Sequence, residues 1–320
     1  MQEKPQFQES VEEIQLNENG LDKLSEEERK AWRLLMKRHR NSSIKPEDFS
    51  DLYDNQAIKK DLDYVQTMEG IFEQKNNSDK ESFERRGELL EALLSEGIRS
   101  GRWLGADTMP IIPSRYDDIA NGIDLVLEML SKEGFSHLAL NIDMTSSAES
   151  AENKLTAIRK TISEGKLSKV KYFKSEKANI RGQIENIPKV IIGIDPEHIR
   201  KLCLARVEIH SFRSGLKHPE NQTPAIQKSL EEKLKESTRN FVKNIARHII
   251  IREIEMQLLK FSDFADNLGG QAKEIAEKYR ASYETLQRIK KETENLSPEL
   301  EEEINNDKVF ESIRAGLANF

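Results

Sequence analysis

The feature that most constrains the fold of this chain is a short, nearly continuous apolar run at residues 190–194, with the sequence Val-Ile-Ile-Gly-Ile. Such a run is typical of a β-strand that is buried on both faces, because a strand with one face in water alternates apolar and polar residues. A strand of this kind needs a sheet that other elements cover on both sides. The sequence therefore predicts an α/β protein in which helices flank a sheet.

Patterns in the surrounding segment indicate how that sheet is built. In chain order they predict a helix, three strands, a helix and two strands, at residues 81–97, 109–112, 123–127, 138–142, 151–162, 170–173 and 190–194. Strands that are separated by helical crossovers imply a mixed sheet with helices packed against it. Pro196 then opens a further helix. We take residues 81–215 as one α/β core.

The two flanks of this core have a different composition. Residues 1–80 are predicted to form an acidic extension that is partly disordered or helical, with one clear helix at Glu26–Arg40. Residues 216–320 are predicted to form a long helical C-terminal extension, in which one long helix reaches Gly269-Gly270 and a second follows this turn. The resulting antiparallel pair is either a stalk that closes on the core or a coiled coil that binds a protein partner or a second copy of the chain.

Composition narrows the classes of function. The chain carries 50 basic and 57 acidic residues, for a net charge of -7, and its single cysteine, Cys203, excludes a disulfide framework or a cysteine-rich zinc module. The sequence contains no HExxH, P-loop or GxGxxG motif, which argues against zinc peptidases and nucleotide-binding enzymes of those types. No apolar run approaches the ~18 residues needed to cross a bilayer, and the N-terminus lacks the pattern of an export signal. We therefore expect a cytoplasmic protein without a membrane partner.

Two aspartates stand out because they lie in apolar surroundings on predicted neighbouring strands. Asp124 follows Gly122 and Ile123 at the start of the second strand, and Asp143 ends the third. A buried ionised carboxylate is costly unless it is paired or binds a cation, and adjacent strands are only ~4.8 Å apart. Both carboxylates could thus bind one divalent ion, and a ligand set of oxygen atoms favours Mg²⁺ or Mn²⁺. The alternative is that each aspartate caps a strand end and faces solvent.

A third acidic group lies on the preceding helix. Glu84, Glu88 and Glu91 are spaced by four and three residues, which places them on one helical face. If this helix packs beside the sheet, one of these glutamates reaches the ion or orders a water molecule. The alternative is that this face of the helix is simply solvated.

The order of a helix glutamate, a Gly-x-Asp strand and a strand that ends in an acidic residue resembles the PD-(D/E)XK nuclease superfamily. The resemblance implies a restriction-endonuclease-like core of helix, three strands, helix and strand. It also implies that Asp124, Asp143 and the main-chain carbonyl of Met144 bind Mg²⁺. Glu88, or Glu84 in its place, then corresponds to the helix glutamate.

The sequence departs from this pattern at the lysine of the motif. The tripeptide Asp143-Met144-Thr145 ends in threonine, which cannot supply a positive charge. Some members of the superfamily carry the lysine on the following helix, where Lys154 is the candidate. The resemblance then implies that Lys154 positions or activates the attacking water. A lysine beside the apolar face of an amphipathic helix is also explained as an ordinary surface residue.

The resemblance implies a Mg²⁺- or Mn²⁺-dependent endonuclease or exonuclease that hydrolyses phosphodiester bonds in nucleic acid, DNA rather than RNA. Thr145 leaves a second interpretation open, in which an inactive protein of the same fold binds nucleic acid or protein through its helical C-terminal half. A third interpretation is an interaction protein whose function lies in the C-terminal helices alone. The sequence does not decide whether the chain is an enzyme.

Basic residues outside these motifs also have two interpretations. Arg115 precedes the Asp124 strand, and Lys243, Arg247 and Arg252 lie along the long predicted helix. All four could contact a phosphate backbone. Local ion pairs, or a charged outer face of the helix, explain them equally well.

Overall fold

The structure is a computed structural model, and it describes residues 20–75, 78–131, 134–142, 148–175, 177–217, 222–290 and 297–320. Its helices are α1 (Glu26–Asn41), α2 (Asn55–Lys75), α3 (Ser78–Arg99), α4 (Arg115–Asn121), α5 (Ala148–Ser163), α6 (Pro196–Leu216), α7 (Pro224–Val242), α8 (Ile245–Leu268), α9 (Ala272–Lys290), α10 (Pro298–Asn305) and α11 (Lys308–Gly316). Its strands are β1 (Thr108–Ile111), β2 (Leu125–Ser131), β3 (Gly134–Ile142), β4 (Ser168–Lys174), β5 (Arg181–Ile187) and β6 (Lys189–Ile192). The chain is a mixed α/β protein with a long helical C-terminal region.

The main sheet has four strands in the order β1-β2-β3-β6. β2 is antiparallel to β1 and to β3, whereas β6 runs parallel to β3. Val190, Ile191 and Ile192 of β6 are fully buried, because α5 and α8 both pack against this strand. The prediction of a mixed sheet with flanking helices and a doubly buried strand is therefore confirmed.

Strand β6 forms one edge of the main sheet, and side chains of α8 close this edge. Gln257 accepts a hydrogen bond from the Ile191 N–H at 2.8 Å and donates one to the Ile191 carbonyl at 2.5 Å. The carboxylate of Glu253 accepts a hydrogen bond from the Gly193 N–H at 3.0 Å. Side chains of α8 thus form the hydrogen bonds that a further strand would otherwise make with the backbone of β6.

Strands β4 and β5 form a separate antiparallel hairpin between α5 and β6. The order of the predicted elements suggested that the strand at 170–173 joins the main sheet after α5. This strand exists as part of β4, but it lies outside the main sheet. Its expected position is taken by β6. β5 was not predicted because its sequence, Arg-Gly-Gln-Ile-Glu-Asn-Ile, is largely polar and several of its side chains are exposed.

The N-terminal flank contains two helices where the sequence predicted one. α1 has the predicted capping box, in which Ser25 accepts a hydrogen bond from the Glu28 N–H and the Glu28 carboxylate accepts one from the Ser25 N–H. α2 was missed because its apolar face is narrow: Ile58 and Val65 are its buried apolar residues. The acidic residues 1–19 lie outside the described part of the chain.

Helix α3 extends to Arg99, past the glycine at which the sequence predicted its end. A Cβ atom on Gly97 would lie 2.6 Å from the ring of Trp103, and this tryptophan is only 1 % exposed. Gly97 therefore makes room for the tryptophan and does not end the helix.

The segment before the predicted Asp124 strand forms the short helix α4 instead of a polar loop. Its N-cap is Ser114, whose hydroxyl accepts a hydrogen bond from the Asp117 N–H. Its C-cap is Gly122, which has the left-handed φ of 59°. Asn121 and Gly122 thus end a helix, and Asp124 lies just before β2 rather than inside the strand predicted at residues 123–127.

The described residues of the C-terminal region form three long helices, α7, α8 and α9, where the sequence predicted two. The single helix expected up to Gly269 is interrupted after Val242, because Asn244 caps a new helix by accepting a hydrogen bond from the Ala246 N–H. The turn at Gly269 and Gly270 is confirmed. α8 and α9 are antiparallel, since Asp266 pairs with Arg280 and Glu255 with Gln287. In the part of the chain that the structure describes, no helix combines the length and the apolar character needed to cross a bilayer.

Helix α8 closes on the sheet, which is the first of the two arrangements considered for the C-terminal helices. Its buried side chains belong to the same hydrophobic cluster as β2, β3 and β6. The large apolar ones among them that are at most 1 % exposed are Ile249, Ile250, Ile254, Leu258 and Phe261. The boundary predicted near residue 216 therefore does not separate two hydrophobic cores.

Candidate functional site

Helices α1, α2, α3 and α4 line a cleft of about 740 Å³, which also reaches the residues just before β2. Its charged lining is dominated by acids, and we call it the acidic cleft. The described residues that line it include seven carboxylic acids, three arginines and one histidine, namely Glu69, Glu81, Glu84, Glu88, Glu91, Asp118, Asp124, Arg40, Arg85, Arg115 and His39. A polyanion would be repelled from such a cleft unless cations accompany it.

Asp124 lies in the acidic cleft, next to the N-terminal end of β2. Its N–H donates a 3.0 Å hydrogen bond to the Leu140 carbonyl of β3, which continues the β2–β3 ladder by one step. Its side chain is half-buried. Because β2 and β3 are antiparallel, the C-terminal end of β3 at Ile142 lies beside the N-terminal end of β2, which Asp124 precedes.

Asp143, Met144 and Thr145 follow β3 directly but lie outside the described residues. The predicted convergence of Asp124 and Asp143 on one ion therefore stays a prediction. Within the described part of the chain, no group of three or more His, Cys, Asp or Glu side chains is arranged to hold a metal ion. The oxygen donors of the acidic cleft are nevertheless of the type that Mg²⁺ accepts.

The three glutamates predicted to share one face of α3 all line the acidic cleft together with Asp124. Glu88 is the most firmly held of them. One carboxylate oxygen accepts a hydrogen bond from Arg40 at 3.0 Å, and the other accepts from Arg85 at 2.9 Å and from the Trp32 indole N–H at 3.3 Å. Both oxygens of Glu88 are thus engaged, so that metal binding would require this carboxylate to give up part of its ion pairing.

Glu91 lies one turn further along α3, with a carboxylate oxygen 3.4 Å from Nε2 of His39. Burial, and then the negative charges of Asp118 and Glu88, raise the pKa of Glu91 well above its ordinary value. Burial lowers the pKa of His39 to about 4, although the charge of Glu88 opposes this shift. The sequence placed Glu91 on the same face of α3 as Glu88, which perturbs it, but the other perturbing groups come from α1 and α4 and could not be predicted from the local sequence.

Lys189 of β6 lies near Asp124 and near a second lysine, Lys154 of α5. Lys154, the candidate from the sequence, is half-buried on α5, and Lys189 is half-buried at the start of β6. The Lys189 ammonium donates a 3.1 Å hydrogen bond to the Asn121 carbonyl at the end of α4. Burial lowers the pKa of Lys189, the negative charge of Asp124 raises it, and the positive charge of Lys154 lowers it further. Lys189 is therefore close enough to interact electrostatically with both Asp124 and Lys154.

Lys189 was missed by the sequence analysis. Lys189 directly precedes the apolar run 190–194. This run predicted a strand, but it did not predict which strand lies beside it in the sheet. The parallel pairing of β6 with β3 places Lys189 opposite Ala139, on the strand that leads to Asp143.

Most of the other basic residues considered in the sequence are held by internal partners. Arg115 pairs with Glu69 at 2.8 Å and with Asp118, so the ion-pair interpretation describes its contacts. Arg247 donates a hydrogen bond to the Trp103 carbonyl at 2.9 Å, and Arg252 pairs with Glu301 at 2.8 Å. Lys243 lies at the break between α7 and α8. These residues do not form a basic track along one helix.

Compared with family models, with curated proteins and with solved structures, the chain shows no match. The arguments for its function therefore rest on the acidic cleft, on the two lysines beside it and on the order of the elements that carry them.

Proposed function

We propose that the chain is a Mg²⁺-dependent, nuclease-like protein that hydrolyses phosphodiester bonds in DNA, with Mn²⁺ as an alternative ion. The observation that carries this proposal is the position of Asp124. It lies just before β2 in a cleft shared with Glu84, Glu88 and Glu91. It is within electrostatic range of Lys189, which in turn interacts with Lys154.

The order of the elements supports the proposal. α3, β1, β2, β3, α5 and β6 follow one another as helix, three strands, helix and strand, which is the order that the resemblance to the PD-(D/E)XK superfamily implies. Helix α4 and the β4–β5 hairpin are insertions into this order. The hairpin explains why the fourth strand lies later in the chain than the sequence suggested.

Each residue has a role in the proposed reaction. Asp124, Asp143 and the main-chain carbonyl of Met144 would hold the ion, which would supply Lewis acidity and lower the pKa of a bound water. Glu88, or Glu84 beside it, orients this water from α3. Lys154 stabilises the negative charge that develops on the phosphoryl group, and Lys189 can contribute to the same stabilisation.

A cleavage assay tests the proposal. Plasmid and single-stranded DNA are incubated with the full chain and Mg²⁺ or Mn²⁺, and we expect metal-dependent cleavage. Asp124→Asn should lower the rate by about 10²–10³-fold, since it weakens the binding of the proposed ion and with it the charge stabilisation that this ion would supply. The matched control is Asp263→Asn, an exposed aspartate on α8, which should leave the rate unchanged. Cleavage that survives Asp124→Asn, or a wild type that is inactive with both ions, contradicts the proposal.

The alternative function is an inactive protein of the same fold that binds nucleic acid or protein through its helical C-terminal half. The engagement of both Glu88 oxygens by Arg40, Arg85 and Trp32 favours this alternative, because a carboxylate neutralised by two guanidinium groups is a poor metal ligand. Thr145 favours it as well. Binding of DNA in a mobility-shift assay, without cleavage by the wild type, would identify this second function.

A further inference from the structure

A second cavity, of about 150 Å³, lies between α5, β4, β6 and α9, and its charge is opposite to that of the acidic cleft. The described residues that line it include three lysines and no carboxylic acid, and we call it the lysine cavity. Its charged and polar lining consists of Lys154, Lys166, Lys189, Thr161, Ser168 and Tyr279. In a chain of net charge -7, such a concentration of ammonium groups in one small cavity needs an explanation.

The lysine cavity has an apolar base and an open rim. Ile162, Ile191 and Tyr279 at its base are at most 1 % exposed, whereas the Lys166 side chain is 68 % exposed. The Tyr279 hydroxyl donates a hydrogen bond to the Lys189 carbonyl at 3.3 Å and so fixes the main chain that carries this lysine. Buried apolar walls lower the local dielectric constant, which strengthens the attraction of the ammonium groups for an anion.

The two inner lysines reach the cavity from different elements, Lys154 from α5 and Lys189 from β6. Like charges in a partly desolvated space repel each other, and each of them has lost part of its hydration. A bound dianion would relieve this repulsion and would replace the lost water with charge-assisted hydrogen bonds.

We propose that the lysine cavity binds a phosphate group through Lys154 and Lys189, with Lys166 at its rim. Lysine ammonium groups act as point charges toward phosphate, whereas the planar guanidinium of arginine is suited to a bidentate pairing. The described lining contains no arginine. The divalent charge of a phosphate monoester also matches several ammonium groups better than the single charge of a carboxylate does.

The phosphate comes either from the free ion and small phosphate monoesters or from the terminal phosphate of a DNA end. Binding at the lysine cavity does not depend on the hydrolytic activity proposed for the acidic cleft, so that the two proposals can fail separately. It also gives Lys154 a role in binding that is distinct from the one implied by the resemblance.

The first test is calorimetric titration of the full chain with inorganic phosphate, against sodium chloride at the same ionic strength. We expect saturable binding of phosphate and none of chloride. Lys154→Gln and Lys189→Met should each weaken the affinity about tenfold or more, as expected from the loss of a charge-assisted hydrogen bond. The matched control is Lys160→Gln on the same helix, which is 79 % exposed and does not line the cavity. Its affinity should equal that of the wild type.

The second test distinguishes the two sources of phosphate. The affinity of the wild type and of Lys154→Gln is measured for a short DNA duplex with and without a 5′-phosphate. A preference for the phosphorylated end that is lost in the variant identifies a DNA end as the ligand, whereas binding of phosphate without such a preference identifies the small ion or monoester. Thermal unfolding of each variant establishes that it is folded. No saturable phosphate binding, or binding that neither lysine substitution weakens, would overturn the proposal.

Discussion

At the scale of single residues, Gly97 and Gly70 occupy neighbouring helices in opposite surroundings. A Cβ atom at position 97 would collide with the Trp103 ring, whereas nothing lies within 4 Å of one at position 70. Gly97→Ala should therefore lower the free energy of unfolding by about 1–3 kcal/mol through overpacking. Gly70→Ala, in the interior of α2, should raise it by up to about 1 kcal/mol, because alanine favours the helix. Urea denaturation of both variants measures this difference, and equal effects would contradict it.

The residues of the candidate site were predictable only where their signal is local. The spacing of Glu84, Glu88 and Glu91 defines one helical face, and that face lines the same cleft as Asp124. Of the two guanidinium groups that engage Glu88, that of Arg85 is three positions away on the same helix, whereas that of Arg40 is 48 positions away in the sequence. Lys189 likewise approaches Asp124 only because β6 pairs with β3. Contacts of this kind depend on the tertiary fold and leave no pattern in the sequence.

At the scale of secondary-structure elements, the attachment of α8 to β6 depends on one buried amide. Gln257 is fully buried and binds both the N–H and the carbonyl of Ile191. Gln257→Leu would leave two buried backbone groups without a partner, so we expect the free energy of unfolding to fall by about 2–4 kcal/mol. The control Gln227→Leu, on an exposed position of α7, should change it by less than about 0.5 kcal/mol. Chemical denaturation provides the comparison, and a neutral Gln257→Leu would show that α8 does not depend on this contact.

The start of α6 and the start of α11 are joined by a buried histidine–carboxylate pair. His198 Nδ1 lies 2.7 Å from Asp307, and its Nε2 lies 3.4 Å from Glu303. Burial lowers the pKa of His198, but the hydrogen bond and the charge of Asp307 raise it by more, and the net pKa is above the ordinary value. The stabilisation by this pair is therefore complete below the ordinary histidine pKa of ~6.5 and is lost as the pH rises through the raised pKa.

This linkage predicts a pH-dependent effect of His198→Gln. The substitution should lower the free energy of unfolding by about 1–2 kcal/mol more near pH ~5.5 than near pH ~8.5, because only the protonated histidine forms the ion pair. His210→Gln, at an exposed position of the same helix, is the control and should show no such dependence. Denaturation curves at both pH values are the measurement, and a pH-independent effect of His198→Gln would rule the ion pair out as the cause.

The elements that the sequence predicted are those with a strong local pattern. α1 has its capping box, β6 its apolar run, and the α8–α9 turn its two glycines. The break after Val242 was missed because the apolar stripe continues across it in nearly the same phase, and only the Asn244 cap marks the new helix. The short helix α4 was missed for a related reason: its caps, Ser114 and Gly122, are also typical of turns.

At the scale of the whole molecule, the C-terminal region and the sheet share one hydrophobic core. A chain that ends at residue 221 would expose both the apolar face that α8 covers and the unpaired backbone groups of β6. We therefore expect this fragment to aggregate or to lose cooperative unfolding, as judged by solubility and circular dichroism. Co-expression of residues 222–320 should restore a soluble complex. A fragment 1–221 that stays soluble and unfolds cooperatively would mean that the core folds without these helices.

The closure of β6 by Gln257 has a counterpart on the opposite border of the main sheet. There, β1 contains Pro110, which has no N–H to offer, and its carbonyl accepts a 3.0 Å hydrogen bond from Arg99. Within the described residues, both border strands of the main sheet are thus blocked against pairing with a strand from another molecule. Growth into cross-β polymers through either border of the main sheet is therefore disfavoured.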